Sequence, residues 1–304
     1  MNCFASMVFL LLTFFCVPCA GYSALQDNVS EVPFTLENGH LIVQAKIQGN
    51  KSVELVLSTG SEYSLVNASL LDKYKLQAGY TGEGIITGSD LDRVVYFVPV
   101  ADIQIGDVKA TSINMRFGSQ ALIAISQRVG REIFAILGAD FFKGRVVQFD
   151  FGKKVVRFLR QTPTDLLKND KKSASTDRVV LQIRATTERI IRPVVENVTF
   201  DGKKIKTLLD TGALTAVSLT TSAAKQIGLS APPEKGEPRE DKVNSLRFEE
   251  MEITGGLPAM IYAKGSAFDH NSSGYGAVIG IGLLQNFVIT FDFRKEVIIL
   301  ERLK

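Results

Sequence analysis

The 304-residue chain is 45% hydrophobic and 22% charged, enough apolar material to bury a sizeable core in one or two domains. Its net charge of +3 is small, and no Lys/Arg stripe interleaved with aromatics stands out, which argues against a nucleic-acid partner. The cysteines, Cys3, Cys16 and Cys19, all lie at the extreme N-terminus, so a chain trimmed there has no disulfide, no thiol nucleophile and no Cys-ligated zinc.

Residues 3–18 are uncharged and strongly apolar, and Cys19-Ala20-Gly21 follows them. That is the pattern of a signal-peptide core with a cleavage zone near residues 19–24, although the preceding Met-Asn carries no Lys or Arg. The run is short for ~30 Å of hydrocarbon. A signal peptide over residues 1–24 and an exported, periplasmic or secreted location are the expectation. Asn-x-Ser/Thr sequons begin at Asn28, Asn50, Asn67, Asn197 and Asn271, a motif common by chance.

Residues 25–160 then alternate Val/Ile/Phe-rich stretches with Gly, Asn and Asp turns, which predicts short strands. One strand runs into Val56-Leu57-Ser58-Thr59-Gly60-Ser61, and a helix is expected over residues 67–76. Residues 79–100, with four glycines and Tyr80, fit a mobile hairpin. Ile136-Leu137-Gly138 and a strand pair over residues 146–159 close this half. Residues 161–177 are polar and charged, and read as a linker with at most one helical turn.

Residues 178–304 repeat the plan. Leu208-Leu209-Asp210-Thr211-Gly212-Ala213 matches the first loop at an offset of 152, and Val278-Ile279-Gly280 matches Ile136-Leu137-Gly138 at an offset of 142. Asp150 falls on Asp292, and a second helix is expected over residues 220–229. Residues 232–253 are polar and show no clear hairpin where the first half has its glycine-rich segment.

These residues resemble the retropepsin-like and pepsin-type aspartic peptidases, and most of all the exported gag-polyprotein-type aspartyl protease domains found in bacteria, here as two tandem copies. The marks are the Asp-Thr-Gly-Ala loop after an apolar strand, a helix ending Lys-Gln-Ile-Gly-Leu, and the later Ala-Val-Ile-Gly-Ile-Gly, each echoed in the first half. The resemblance covers nearly all of the chain beyond residue 24. It implies an all-β fold with a few short helices, an acid-protease-like closed β-barrel with two duplicated lobes around a pseudo-twofold axis.

The resemblance also assigns roles. Asp210, Thr211 and Gly212 are the active loop, and Ser58, Thr59 and Gly60 are its degenerate partner. The threonines lock the loops together, Gly138 and Gly280 let backbone pass beneath them, and Tyr80, Gly82, Glu83 and Gly84 belong to a flap over bound peptide. Family chemistry uses two carboxylates sharing one proton, one activating water and one polarising the scissile carbonyl. Ser58 can hydrogen-bond but supplies no second carboxyl. The expected function is therefore an aspartic-type peptidase with an incomplete dyad and weak or lost activity. The alternative is a pseudoprotease that binds a peptide or unstructured protein segment in the interlobe groove without cutting it.

No metal or other cofactor is expected, because no HExxH or comparable cluster is present. A homodimer is an option, since it would bring two copies of Asp210 together. A Ser-His-Asp triad is disfavoured: the two histidines, His40 and His270, lie in unrelated polar contexts and read as surface residues.

Overall fold

The computed structural model describes residues 28–49, 51–77, 79–80, 96–100, 102–110, 113–117, 119–167, 177–184, 191–266, 268–269 and 274–304. Strands dominate them, joined by short helices. The N-terminal segment expected to be a signal peptide lies outside the described residues.

One antiparallel sheet runs beneath both lobes, in the order Arg178–Gln182, Val297–Arg302, Phe287–Asp292, Val146–Asp150, Val155–Leu159 and the start of Asn28–Glu37. At its centre Gln148 stands opposite Thr290 and donates from Nε2 to Thr290 Oγ1 at 3.0 Å. These two residues are equivalents under the 142-residue offset. Each central strand thus pairs with its own repeat, and a local twofold axis runs between them.

Period-2 alternation decides which side chains of these strands face the core. Val147, Phe149, Ile289 and Phe291 are fully buried. Phe149 meets Phe291 edge-on at 5.9 Å, and Phe142 stacks on Phe293 at 5.8 Å, so one aromatic core crosses the lobe boundary. Such pairs contribute about 0.5–1.5 kcal/mol each beyond their burial. Asp292 is fully buried but accepts from Thr162 Oγ1 and from the Arg294 and Lys295 N–H groups. Its equivalent Asp150 accepts from Lys153 N–H and pairs with Arg157.

The second lobe closes a six-stranded barrel from Val194–Phe200, Lys203–Leu209, Ala277–Ile279, Val217–Thr220, Met251–Tyr262 and Arg239–Phe248. The last two strands form a long hairpin, with Phe248 opposite Met251. This corrects the reading of residues 232–253 as lacking one. The hairpin is half exposed and carries charges on its open face, so no apolar run announces it.

In the first lobe the corresponding hairpin is broken into shorter pieces, Tyr96–Val100 paired with Ile113–Phe117 and Ile103–Ile105 paired with Val108–Ala110. The helices expected after Ser58-Thr59-Gly60 and Asp210-Thr211-Gly212 are present. Asn67 caps a 3₁₀ turn at Ala68–Leu70 that continues into Leu71–Tyr74, and Thr220 caps Thr221–Gln226 by accepting from Ala223 N–H at 3.2 Å. Asn67 is only 3% exposed, so its sequon is structural. The linker holds one short helix, Thr164–Leu167.

A further helix, Ser119–Val129, was not anticipated. Its Leu122, Ile125 and Val129 recur at helical spacing and cover Ile42, Val56 and Ile136. The equivalent face of the second lobe, Val194, Leu208 and Val278, is covered by Ala213, Phe268 and Tyr275 instead.

Candidate functional site

Strand Lys51–Leu57 delivers Ser58-Thr59-Gly60, and strand Lys203–Leu209 delivers Asp210-Thr211-Gly212. A parallel strand steadies each exit: Ser58 N–H donates to Leu137 O at 3.0 Å, and Asp210 N–H donates to Ile279 O at 2.9 Å. After those strands, Ala139 N–H donates to Ser61 O and Ile281 N–H to Ala213 O, both at 2.7 Å. The glycines between, Gly138 and Gly280, leave no room for a side chain. A Cβ on Gly280 would lie 2.4 Å from Ala213 O, and one on Gly138 would lie 2.7 Å from Ser61 O.

The two loops meet at the twofold axis. Thr59 N–H donates to Thr211 Oγ1, and Thr211 N–H donates to Thr59 Oγ1, each at 3.1 Å. Each hydroxyl then donates into the opposite lobe, Thr59 to Leu209 O and Thr211 to Leu57 O, both at 2.9 Å. Both threonines are fully buried, so every one of these groups would otherwise be stranded without water. We expect Thr211→Val to lose about 2–4 kcal/mol in urea unfolding, with Thr211→Ser close to wild type, because the hydroxyl satisfies two backbone groups.

Ser58 and Asp210 face each other above this lock. Ser58 Oγ donates to Asp210 Oδ1 at 3.0 Å and accepts from Ser61 N–H at 3.2 Å. The same Oδ1 accepts from Gly60 N–H at 2.9 Å and from Gly212 N–H at 2.7 Å. Oδ2 accepts no hydrogen bond among the described residues. The glycines are required by crowding here as well: a Cβ on Gly60 would lie 2.4 Å from Asp210 Cγ, and one on Gly212 would lie 2.3 Å from Ser58 Oγ.

Burial pushes the Asp210 carboxyl above the usual carboxylate range, against the pull of the Gly212 and Gly60 N–H groups, the Ser58 hydroxyl and the Arg192 charge. The sign for stability follows. Below the ordinary carboxylate range both folded and unfolded chains hold the proton. As pH rises from the ordinary carboxylate range to the raised native value, the unfolded carboxyl ionises freely in water while the folded one resists, so stability falls over that interval. Asp210→Asn should flatten that part of the profile. Urea midpoints compared from about pH 4 to neutral check this, and the wild type should lose more across the interval.

His40, read from the sequence as a surface residue, is only 4% exposed, while His270 lies outside the described residues. Gly79–Tyr80 pairs antiparallel with Tyr96–Phe97, a strand pair at the base of the segment assigned as the flap. Gly82, Glu83 and Gly84 lie outside the described residues. Sequence reasoning missed Asp140, which accepts from Ser64 N–H at 2.9 Å and Ser64 Oγ at 2.6 Å and so anchors the chain leaving the first loop. Its second-lobe equivalent is Gly282. Beside the second loop, Thr215, Ala216, Pro258, Ala259 and Met260 floor an open cavity of about 510 Å³ rimmed by Glu240, Asp241 and Lys242. Asp210 is not among the residues that line it. No cluster of metal-ligating side chains occurs among the described residues.

Residues 43–141 match the model of a family described as aspartyl protease. That stretch is similar to an aspartyl protease domain over about a third of the chain. The matched stretch includes Ser58-Thr59-Gly60 and Ile136-Leu137-Gly138, and Asp210 lies outside it. Among curated proteins no match was found. Between the two loops, Asp210 offers one carboxyl, Ser58 a hydroxyl, and Gly60 and Gly212 backbone donors. One carboxyl can orient a water or accept a donor, but it cannot act as acid and base on one substrate at the same moment.

Proposed function

We propose that this protein is an aspartic-peptidase-like protein with an incomplete dyad, which takes an extended peptide or unstructured protein segment into the groove between its lobes and cleaves it slowly or not at all. The observation that carries this reading is the hydrogen bond that Ser58 Oγ donates to Asp210 Oδ1 at 3.0 Å across the two loops. Losing one member of a cooperating catalytic pair typically costs several orders of magnitude in rate. The cavity flanking the second active loop supports a binding role, since it offers an apolar floor for a ligand side chain beside Thr215.

Pairing of Asp210 with a second copy's Asp210 is the competing reading. It is disfavoured because the threonine exchange and the Val146–Asp150/Phe287–Asp292 strand pair already fill, within one chain, the contacts that such a dimer would need. Export with removal of residues 1–24 belongs to the same reading, and mass spectrometry of the mature N-terminus tests it. For the function itself, unstructured protein is incubated with the wild type and with Asp210→Asn, and products are read by mass spectrometry across acid and neutral pH. Little or no cleavage, together with peptide binding retained in Asp210→Asn, is expected. Ready turnover abolished by Asp210→Asn would overturn the proposal, and turnover that rises with protein concentration would favour the two-chain dyad.

A further inference from the structure

Each active loop has one cross-strand neighbour just beyond its last paired residues. In the first lobe Val43 faces Leu55 and Ile42 faces Val56, so the next steps set Leu41 beside Leu57 and His40 beside Ser58. In the second lobe Val194 faces Leu208 and Leu209 N–H donates to Pro193 O at 3.0 Å, which sets Arg192 beside Asp210. The 152-residue offset carries His40 onto Arg192 just as it carries Ser58 onto Asp210. The lobe with a hydroxyl has an imidazole as neighbour, and the lobe with a carboxyl has a guanidinium.

The surroundings match this division. The Arg192 guanidinium carbon lies 5.4 Å from the centre of the Tyr275 ring, and both side chains are half-buried. Tyr275 precedes Ala277–Ile279, the strand on the other side of Lys203–Leu209, and its side chain reaches Arg192, which register sets beside Asp210. Burial pushes the Tyr275 hydroxyl up, which keeps it neutral and able to accept from Arg192. His40, by contrast, has no partner for either ring nitrogen among the described residues, and burial and the nearby Arg128 both push its pKa down. A neutral imidazole suits a lobe whose loop carries no charge.

We propose that Arg192 is the positioning residue of the half-dyad: held by Tyr275 and set beside Asp210 by strand register, it joins the Ser58, Gly60 and Gly212 donors in favouring the carboxylate form of Asp210. Without it, only the Ser58, Gly60 and Gly212 donors oppose the desolvation that favours the protonated carboxyl. The inference concerns the charge of Asp210 alone and stands whether or not a bound peptide is cleaved.

The test follows Asp210 directly. Aspartate carboxyl carbons are labelled, and the Asp210 resonance is assigned by its loss in Asp210→Asn and titrated by NMR. In Arg192→Gln the midpoint should move to higher pH, by about a tenfold gain in proton affinity. Arg192→Lys should stay near wild type, and Tyr275→Phe should shift less than Arg192→Gln in the same direction. A merely structural role would leave the Asp210 titration untouched in folded protein. An unchanged midpoint in Arg192→Gln with a native amide spectrum overturns the proposal. If glutamine at 192 prevents folding, Tyr275→Phe decides: a raised midpoint supports the pair and an unchanged one overturns it.

Discussion

Ser58→Asp is expected to convert this protein into an acid peptidase, raising kcat/KM on an unstructured peptide by about 10²–10⁴-fold. The loops are already built for it. Gly60 N–H reaches across to Asp210 Oδ1 at 2.9 Å, and Gly212 crowds Ser58 in the mirrored way, its would-be Cβ 2.3 Å from the serine oxygen. An aspartate at 58 would therefore meet Asp210 at about the 3.0 Å now spanned by the serine hydroxyl. Like charges that close cannot both ionise, so the pair holds one proton and works as acid and base over a bounded acid range. The two sides would not be equivalent. Asp210 has the Arg192 charge near it, so the shared proton should favour position 58. Activity is read against pH with and without a statine-type transition-state mimic. A folded Ser58→Asp variant with no acid-range activity would mean that the groove no longer holds substrate against the dyad.

Gly280→Ala should be among the most damaging single changes in the chain. The added methyl would lie 2.4 Å from Ala213 O and 2.5 Å from Thr215 O, with backbone on both sides and no flexible side chain to swing away. Relief requires the active loop or the strand after it to shift, breaking the 2.7 Å bond from Ile281 N–H to Ala213 O. A loss of about 4 kcal/mol or more, or failure to accumulate folded protein, is expected. Gly202→Ala is the control. It has a left-handed φ of 80° but nothing within 4 Å of the added carbon, so its cost should be only about 1 kcal/mol. Urea unfolding of the two variants side by side measures the difference.

Much of the site was legible because the chain states its plan twice. An apolar strand ending in X-Thr-Gly, a capped helix and a later apolar pair before glycine are local signals, and repetition turned weak ones into a registered pair. What stayed hidden depended on which residues stand opposite each other in space. His40 and Arg192 lie eighteen residues before their loops, and only strand register sets them beside Ser58 and Asp210. The Arg239–Phe248 and Met251–Tyr262 hairpin was obscured by its exposed, charged open face. The Ser119–Val129 helix did carry a signal in the spacing of Leu122, Ile125 and Val129, which strand-like neighbours on both sides masked.

The strand pair centred on Gln148 and Thr290 has a consequence for inheritance as well as for architecture. When two identical subunits make a site, every substitution is made twice, and a serine at the loop would remove both carboxyls at once. Joined in one chain, the halves mutate one at a time. Serine in one loop, arginine beside the other and a longer segment after residue 77 in the first half alone are all changes that a symmetric dimer could not have tried separately.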